Sequence, residues 1–389
     1  MKANQSVENY DSRIREYANY SFRQSRNICK TIGKREAGSE NEIKLQHHVE
    51  NELKTCADEV KVDEFNFQKD YKIFQNKVGA IFFICAAALL LAMLLLEIEI
   101  LGLISAAVAV VGIVLSFAGK IYAPQKLSSK NVYAVKKPTG ETKNRLILVS
   151  NADCIRTTKL DGVFLKIMSI ISAVLSIAIS VLIYVQKQNE ISITDTQIYK
   201  YLAIPVVVFM IFNIIILFSS YTGVLDGANK NLSGIFTSIA VLKYLKDMSI
   251  SMQSTEIMVL VTGAHEADLS GVKNFVKKHL EELKNVETRV VCLDCLRDEK
   301  NLRIETKNIR GKVAEEIKNC AKENGAEIEI QQNTFLSDGD VFENHGFDGC
   351  TLTASEKDVM TQEDTYEDMK IKTIETALKS VMEEVFYLG

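Results

Sequence analysis

Gly227-Ala228-Asn229-Lys230-Asn231-Leu232-Ser233-Gly234 stands where an apolar run ends and a helical pattern begins. Small and polar residues crowd into it, with glycine at both ends. Such a segment makes a tight loop that opens a helix N-terminus. The helix it opens, Ile235 to Lys246, carries Ile235, Ile239, Leu242 and Leu245 on one side, so an amphipathic helix is expected.

The chain has 389 residues, enough for one large domain or two ordinary ones. Its formal net charge of −4 leaves no basic excess for a nucleic-acid partner. The 8 cysteines follow no framework spacing, and Cys85 lies inside an apolar run, a usage that fits reduced thiols. The first apolar run begins only near residue 78, so no N-terminal signal peptide is expected.

The mean hydropathy of +0.04 averages two different materials. Val78 to Ala118 is almost wholly apolar, interrupted by Glu97 and Glu99, and reads as two membrane spans joined by an acidic turn. Ile167 to Val185 reads as a third span. Tyr201 to Phe218 reads as a fourth, with Pro205 inside it, which membrane helices tolerate. Two such hairpins put every polar segment on one side. That side carries Lys69, Lys72, Lys77, Lys120, Lys126, Lys130 and Lys166 close to the apolar runs, so both termini are expected in the cytoplasm. The resulting divisions are 1–77, 78–118, 119–166, 167–218 and 219–389, the second and fourth being the hairpins.

The polar segments alternate strand and helix patterns, an α/β signature. Residues 7 to 31 read as a helix. Ser39 and Glu42 have capping-box spacing at the start of the next, on which His47 and His48 read as solvated or interfacial side chains. Val60 to Phe65, Asn131 to Val135, Arg145 to Ser150, Ile257 to Thr262, Val290 to Asp294, Leu302 to Ile304, Glu327 to Ile330 and Cys350 to Thr353 read as strands. Gly271 to Leu283, Lys312 to Asn324 (closed by Gly325) and Ile371 to Val385 read as helices. No Walker loop, dinucleotide fingerprint or G-x-S-x-G elbow is present.

Several of these junctions resemble those of the co-catalytic zinc aminopeptidases, metallopeptidase family M28, whose relatives include glutamate carboxypeptidase. The stretch 227–234 resembles that family's GADDNASG loop. Strand 145–150 ends in Asn151-Ala152-Asp153 where the family has H-x-D. Gly263-Ala264-His265-Glu266 stands for G-A-E-E, and Leu293-Asp294 for the end of N-L-D. Ser337-Asp338-Gly339 stands for S-D-H, and Met360-Thr361-Gln362-Glu363-Asp364-Thr365 for H-T-P-E-D-T. The resemblance implies a zinc-aminopeptidase-like mixed sheet flanked by helices, interrupted by two transmembrane helical hairpins with four spans. It also implies that the second hairpin is inserted between two flanks of the cleft.

Carried over residue by residue, the resemblance places Glu266 and Asp294 at retained metal-ligand positions and Asp153 at the position that orients a ligand histidine. Asn151, Asn229 and Met360 occupy the other three ligand positions, and His265 occupies that of the general base. Lys230 stands beside the site in place of an acid. Zinc needs about four N, S or O donors in close geometry. Asn is a weak neutral donor and a thioether suits zinc poorly. No cofactor is therefore expected, and the function implied is a binding or scaffold role for an inactive peptidase-like domain. Its partners would be the lipid bilayer and a peptide or membrane protein. The rival expectation is a membrane metallopeptidase or other hydrolase with a rebuilt zinc site, drawing on Asp153, Cys154, His265, Glu266, Asp294 and Cys295.

Overall fold

The computed structural model describes residues 9–68, 71–96, 98–117, 125–157, 162–188, 196–218, 223–333, 336–354 and 364–389. The chain opens with α1 (Tyr10–Thr31), α2 (Glu40–Lys54) and β1 (Glu59–Gln68). The apolar helices α3 (Tyr71–Leu96) and α4 (Glu99–Phe117) precede β2 (Lys126–Lys136), β3 (Asn144–Asn151) and β4 (Arg156–Thr157). A second apolar pair, α5 (Gly162–Gln188) and α6 (Thr196–Phe218), leads to β5 (Gly223–Val224), a π-helical turn (Ala228–Leu232) and α7 (Ser233–Asp247). The remainder runs β6 (Thr255–Thr262), α8 (Ser270–Lys284), β7 (Glu287–Asp294), β8 (Arg303–Thr306), α9 (Lys312–Glu323), β9 (Glu329–Gln332), α10 (Asp338–Asn344), β10 (Asp348–Thr353) and α11 (Ile371–Leu388). Met1–Phe67, Leu127–Thr157 and Val224–Gly389 form one compact unit; Gln68–Lys126 and Thr158–Gly223 form the other.

The first unit is built on an 8-stranded mixed sheet in the order β1-β2-β6-β3-β7-β10-β8-β9. β3 pairs in parallel with both β6 and β7, and β7 with β10. β2 is antiparallel to β6, and β8 to β10. Strands buried on both faces read as continuous apolar runs, and β3 is one: Leu146 and Leu148 face one core, Ile147 and Val149 the other. The larger core joins α1, α2, α7, α9 and α11 to the sheet. The smaller one holds Val272, Phe275 and Val276 of α8 against Val341 and Phe342 of α10.

Because β6, β3, β7 and β10 run the same way, Thr262, Asn151, Asp294 and Thr353 end at one edge of the sheet. The chain crosses β3 on passing from β6 to β7. Ligand crevices of open α/β sheets lie at such carboxyl ends, where the strand order reverses.

Helix α7 departs from the amphipathic expectation. Ser233 to Leu242, Tyr244 and Leu245 are all buried, so the helix is enclosed almost all round. The sheet covers one side, while Tyr10 and Tyr17 of α1 set their rings edge-on against Tyr244. The polar Thr237 and Ser238, which made the pattern look one-sided, are inside. At the start of α2, Ser39 Oγ accepts from Glu42 N, as the spacing implied. Glu42, however, turns its carboxylate to the amides of Gly38 and Ala264 and does not close the box.

In the second unit, Ala87, Leu90 and Met93 of α3 pack with Ile179 of α5 and Val206 of α6. Ser105 Oγ donates to the Ala86 carbonyl at 2.7 Å, satisfying a hydroxyl within the helix pair. Ile104, Val111, Val114, Val181 and Ile211 are exposed, an arrangement suited to lipid and costly in water. Three helices among the described residues are long and apolar enough to cross a membrane: Gln75–Leu96, Glu99–Phe117 and Lys166–Val185. The fourth expected span, 201–218, is helical and lies in α6. The described apolar stretch there is Ala203–Phe218, within a helix of 23 residues.

Candidate functional site

Four segments of the first unit converge at the strand ends. After β3 the chain turns through Asp153, whose carboxylate accepts from two successive amides of another segment. His265 N donates to Oδ1 at 2.7 Å and Glu266 N to Oδ2 at 2.8 Å. Those amides belong to the turn after β6, where Ala264, Asp268 and Leu269 adopt positive φ of 49°, 62° and 57°. Non-glycine residues rarely hold that conformation without outside support. Asp153 and Glu42, the latter bonded to Ala264 N at 2.8 Å, supply it. Burial raises the pKa of both carboxyls, that of Glu42 to about 8.

The turn aims two side chains at the site. His265 Nδ1 lies 2.7 Å from Asp338 Oδ1. Burial alone would lower the imidazole pKa, but Asp338 outweighs it and raises the value to about 9. Glu266 is half-buried, and its carboxylate has no hydrogen-bond partner among the described residues. Burial raises its pKa, reinforced by Asp153 and Asp294 and opposed by His265 and Lys230.

The loop 227–234 is the third segment. Gly227 at φ 64° allows the chain to enter a π-helical turn in place of a regular first helical turn. Asp364 closes that turn. Its Oδ1 accepts from Asn229 N at 2.8 Å and Asn229 Nδ2 at 2.9 Å, and its Oδ2 from Lys230 N at 2.9 Å. A carboxylate on unpaired amides at a helix start is favourable in both charge and hydrogen bonding. Arg35, fully buried, holds the entry to the loop through the carbonyls of Ala152, Asp226 and Gly227.

The fourth segment is the end of β7. Lys230 Nζ meets Asp294 Oδ2 at 2.7 Å, and both residues are buried. Burial works against the ammonium, but Asp294, assisted by Glu266, holds its pKa above the ordinary lysine value. The backbone repeats the link: Cys295 N donates to Lys230 O at 3.2 Å and Leu296 N to Asn229 O at 3.1 Å. Burial raises the thiol pKa of Cys154 to about 12 and also raises that of Cys295. Cys292 lies within β7 in the α8–α10 core, whereas Cys295 follows the strand end at φ 54°.

The sequence-selected residues thus divide. Asp153, His265 and Glu266 are joined by one carboxylate, and Lys230 and Asp294 by an ion pair. Asn151 turns inward, its Nδ2 donating to the Asp153 carbonyl at 3.1 Å. Met360 lies outside the described residues. His47 and His48 stay on α2, the first bonded to Asn51 and the second edge-on to Phe236. Among the described residues no three His, Cys, Asp or Glu side chains gather in a way suited to a metal ion. Sequence reasoning gave no role to Asp338, Asp364 or Arg35, and to Glu42 only that of a helix-capping residue. Asp364 and Asp338 stood inside motif matches, but their partners lie far away in the chain. Arg35 carried only the signal of a charged residue near a glycine, and the capping spacing of Glu42 did not reveal its bond to Ala264 N.

Residues 216–385 match the family model for Peptidase family M28, which includes the loop, the β6 turn and the end of β7. No curated protein matches the chain. Among solved structures, the glutaminyl cyclase of Fimbriiglobus ruber has a TM-score of 0.58 at 12% identity, covering 94% of this chain and 93% of that one. A zinc aminopeptidase from Bacillus subtilis has 0.58 at 14%, covering 95% and 94%. The aminopeptidase from Aneurinibacillus sp. strain AM-1 has 0.58 at 15%, covering 97% and 96%. At these identities the likeness is one of fold. With the sheet order and the strand-end loops as described, the chain is similar to peptidase family M28 over residues 216–385.

Proposed function

We propose that this chain is a membrane-anchored aminopeptidase-like protein that acts by binding and does not hydrolyse peptides through a zinc pair. The observation that carries the reading is the Lys230–Asp294 ion pair. It sets a fixed positive charge on one of the two retained ligand carboxylates. The other donor positions argue the same way. The amide nitrogen of Asn229 is held by Asp364 and the Thr365 carbonyl, and that of Asn151 by the Asp153 carbonyl. His265 shares its Nδ1 with Asp338 and carries a raised pKa, which favours the imidazolium. The Asp153 carboxylate is taken by two amides, and the neighbouring thiols stay protonated. This donor set does not fit two zinc ions, which need deprotonated, unengaged ligands.

The apolar helices support an anchor in the bilayer, and the lysines flanking the apolar runs favour a cytoplasmic location for the first unit and both termini. A peptide segment or membrane protein is the partner class this reading implies. The test is metal analysis of the purified full chain together with cleavage of aminoacyl anilides. The expected result is substoichiometric metal and no chelator-sensitive cleavage. Stoichiometric zinc with cleavage that a chelator abolishes would establish instead a membrane metallopeptidase with a rebuilt site.

A further inference from the structure

Helix α1 carries three cations on one side. Arg23, Arg26 and Lys30 are exposed, and helical spacing confines them to an arc of about 60°. From Tyr17 to Thr31 the helix has no acid. Among the described residues none of the three cations is in an ion pair. Elsewhere on the same unit Lys44 meets Glu40, Lys273 meets Asp268 and Lys379 meets Asp11. Arg26 and Lys30 both lie over the ring of Tyr366, with Cζ 5.7 Å and Nζ 5.3 Å from its centroid. The ring is held by packing with Phe22 and Cys29 against Ala18, Ala228 and Met369. Glu367 and Asp368 follow it and are exposed, and among the described residues no ion pair joins either to α1. A π face attracts both cations but has no net charge. It gathers two like charges and cancels neither, an arrangement that a bridging anion relieves.

The stripe ends close to where the chain leaves this unit for the second apolar pair. Arg35, just past α1, offers its carbonyl to Cys154 N at 2.7 Å and donates from its guanidinium to the Asp226 carbonyl at 2.9 Å. Cys154 stands shortly before the helix stretch that begins at Lys166, and Asp226 shortly after α6 ends at Phe218. Chain reach keeps Asp226 within about 30 Å of the end of that helix. We propose that Arg23, Arg26 and Lys30 dock the first unit on anionic phospholipid headgroups of the leaflet beside it. A headgroup phosphate accepts from the Arg26 guanidinium and the Lys30 ammonium together and supplies the charge that Tyr366 lacks. Basic residues held near an anionic bilayer surface are attracted to it, and the attraction fades within a Debye length. The inference rests on the reading of this chain as membrane-anchored. It adds which surface meets lipid and which headgroup charge that surface takes.

The experiment places a photo-cross-linking residue at Asn27, which is exposed on the same side of α1. The full chain is set in nanodiscs of phosphatidylcholine alone or mixed with phosphatidylglycerol, and captured lipid is counted by mass spectrometry of the intact chain. Capture in the mixed discs is expected to exceed that in the neutral discs at least about threefold. Replacing the stripe, as Arg23→Gln, Arg26→Gln and Lys30→Gln together, should bring capture down to the neutral level. Salt at about 0.5 M should do the same to the unsubstituted stripe, so the result does not hang on how the variant folds. Equal capture in the two discs, capture in neither, or capture in the mixed discs that ignores both the substitutions and salt overturns the inference. Failure of the functional reading shows separately. Stoichiometric zinc with chelator-sensitive cleavage would overturn the binding role and leave lipid capture as expected. A chain that does not enter discs at all overturns the membrane anchor, and this inference with it.

Discussion

His265 pairs with the buried Asp338, Nδ1 to Oδ1 at 2.7 Å, and Thr262 Oγ1 donates to the other oxygen of the same carboxylate. The carboxylate is thus fixed before the imidazole meets it. Burial opposes the charged ring, and Asp338 outweighs it and raises the pKa.

The pair predicts a specific pH dependence. The folded pKa of His265, about 9, lies above the ordinary imidazole value of 6.5. A group whose pKa rises on folding contributes its full stability below the unfolded value and loses it as pH climbs through the folded one. Its contribution, on the order of 2–3 kcal/mol, should therefore be present near pH 6 and fade between about pH 6.5 and 9. Urea unfolding of the wild type and of Asp338→Asn across that window checks this. The substitution should flatten the dependence. An imidazole that titrates near its ordinary value in NMR spectra of the folded chain would contradict it.

Gly227→Ala should destabilise the first unit by more than about 2 kcal/mol. The left-handed backbone at φ 64° costs a side chain about 1–2 kcal/mol. A Cβ there would also sit 2.3 Å from Asn231 Oδ1, 2.7 Å from Cys154 Sγ and 2.8 Å from an Arg35 guanidinium nitrogen. Chemical denaturation gives the value. A loss under about 1 kcal/mol would mean that the π turn tolerates another path.

Much of the fold was legible because its signals are local. The apolar run at residues 145–150, the helical spacing after Lys312 and the left-handed Gly325 each fix an element from a short window. Loop 227–234 announced a tight turn, and one is there, though of π-helical form. What stayed hidden depends on distant partners. Nothing near Asp364 tells that it holds amides 134 and 135 residues earlier. Nothing near Ser238 tells that α11 and α1 will cover the outer face of α7. The resemblance located His265, Lys230 and Asp294, the last two as neighbours of opposite charge, whereas Asp338 as the partner of His265 emerged only in the folded chain.

The lysine distribution predicts a membrane orientation that labelling can test. With the first unit cytoplasmic, a cysteine placed at Glu141, in the exposed loop between β2 and β3, should react with an impermeant maleimide only after the cells are opened. A cysteine at Ile98, between α3 and α4, should react in intact cells. The native Cys85 is removed for the assay, since it lies exposed on a span. Labelling at Glu141 from outside would reverse the orientation.

Rebuilding a zinc site should require several changes at once. The ligand pattern of the family needs Asn151→His, Asn229→Asp, His265→Glu and Met360→His. The ion pair adds a further requirement, because Asp294 cannot serve a metal while Lys230 Nζ occupies Oδ2 at 2.7 Å. Lys230→Asp is therefore the fifth change. Each of the first four substitutions alone should leave metal content and aminoacyl anilide cleavage at background, since ligands act as a set and one new donor cannot compensate for a fixed ammonium. The four-fold variant that keeps Lys230 should also stay at background. Only the five-fold variant should retain zinc through gel filtration. Asn229→Asp carries its own penalty: the new carboxylate would face Asp364, which now accepts from the Asn229 side-chain amide at 2.9 Å. Two carboxylates at that distance repel unless a cation sits between them. Asn229→Asp alone should therefore lower the melting temperature, and metal should restore it only where Lys230 has also been removed. Zinc retention by any single variant, measured by elemental analysis, would show that the ion pair does not control access to the cluster.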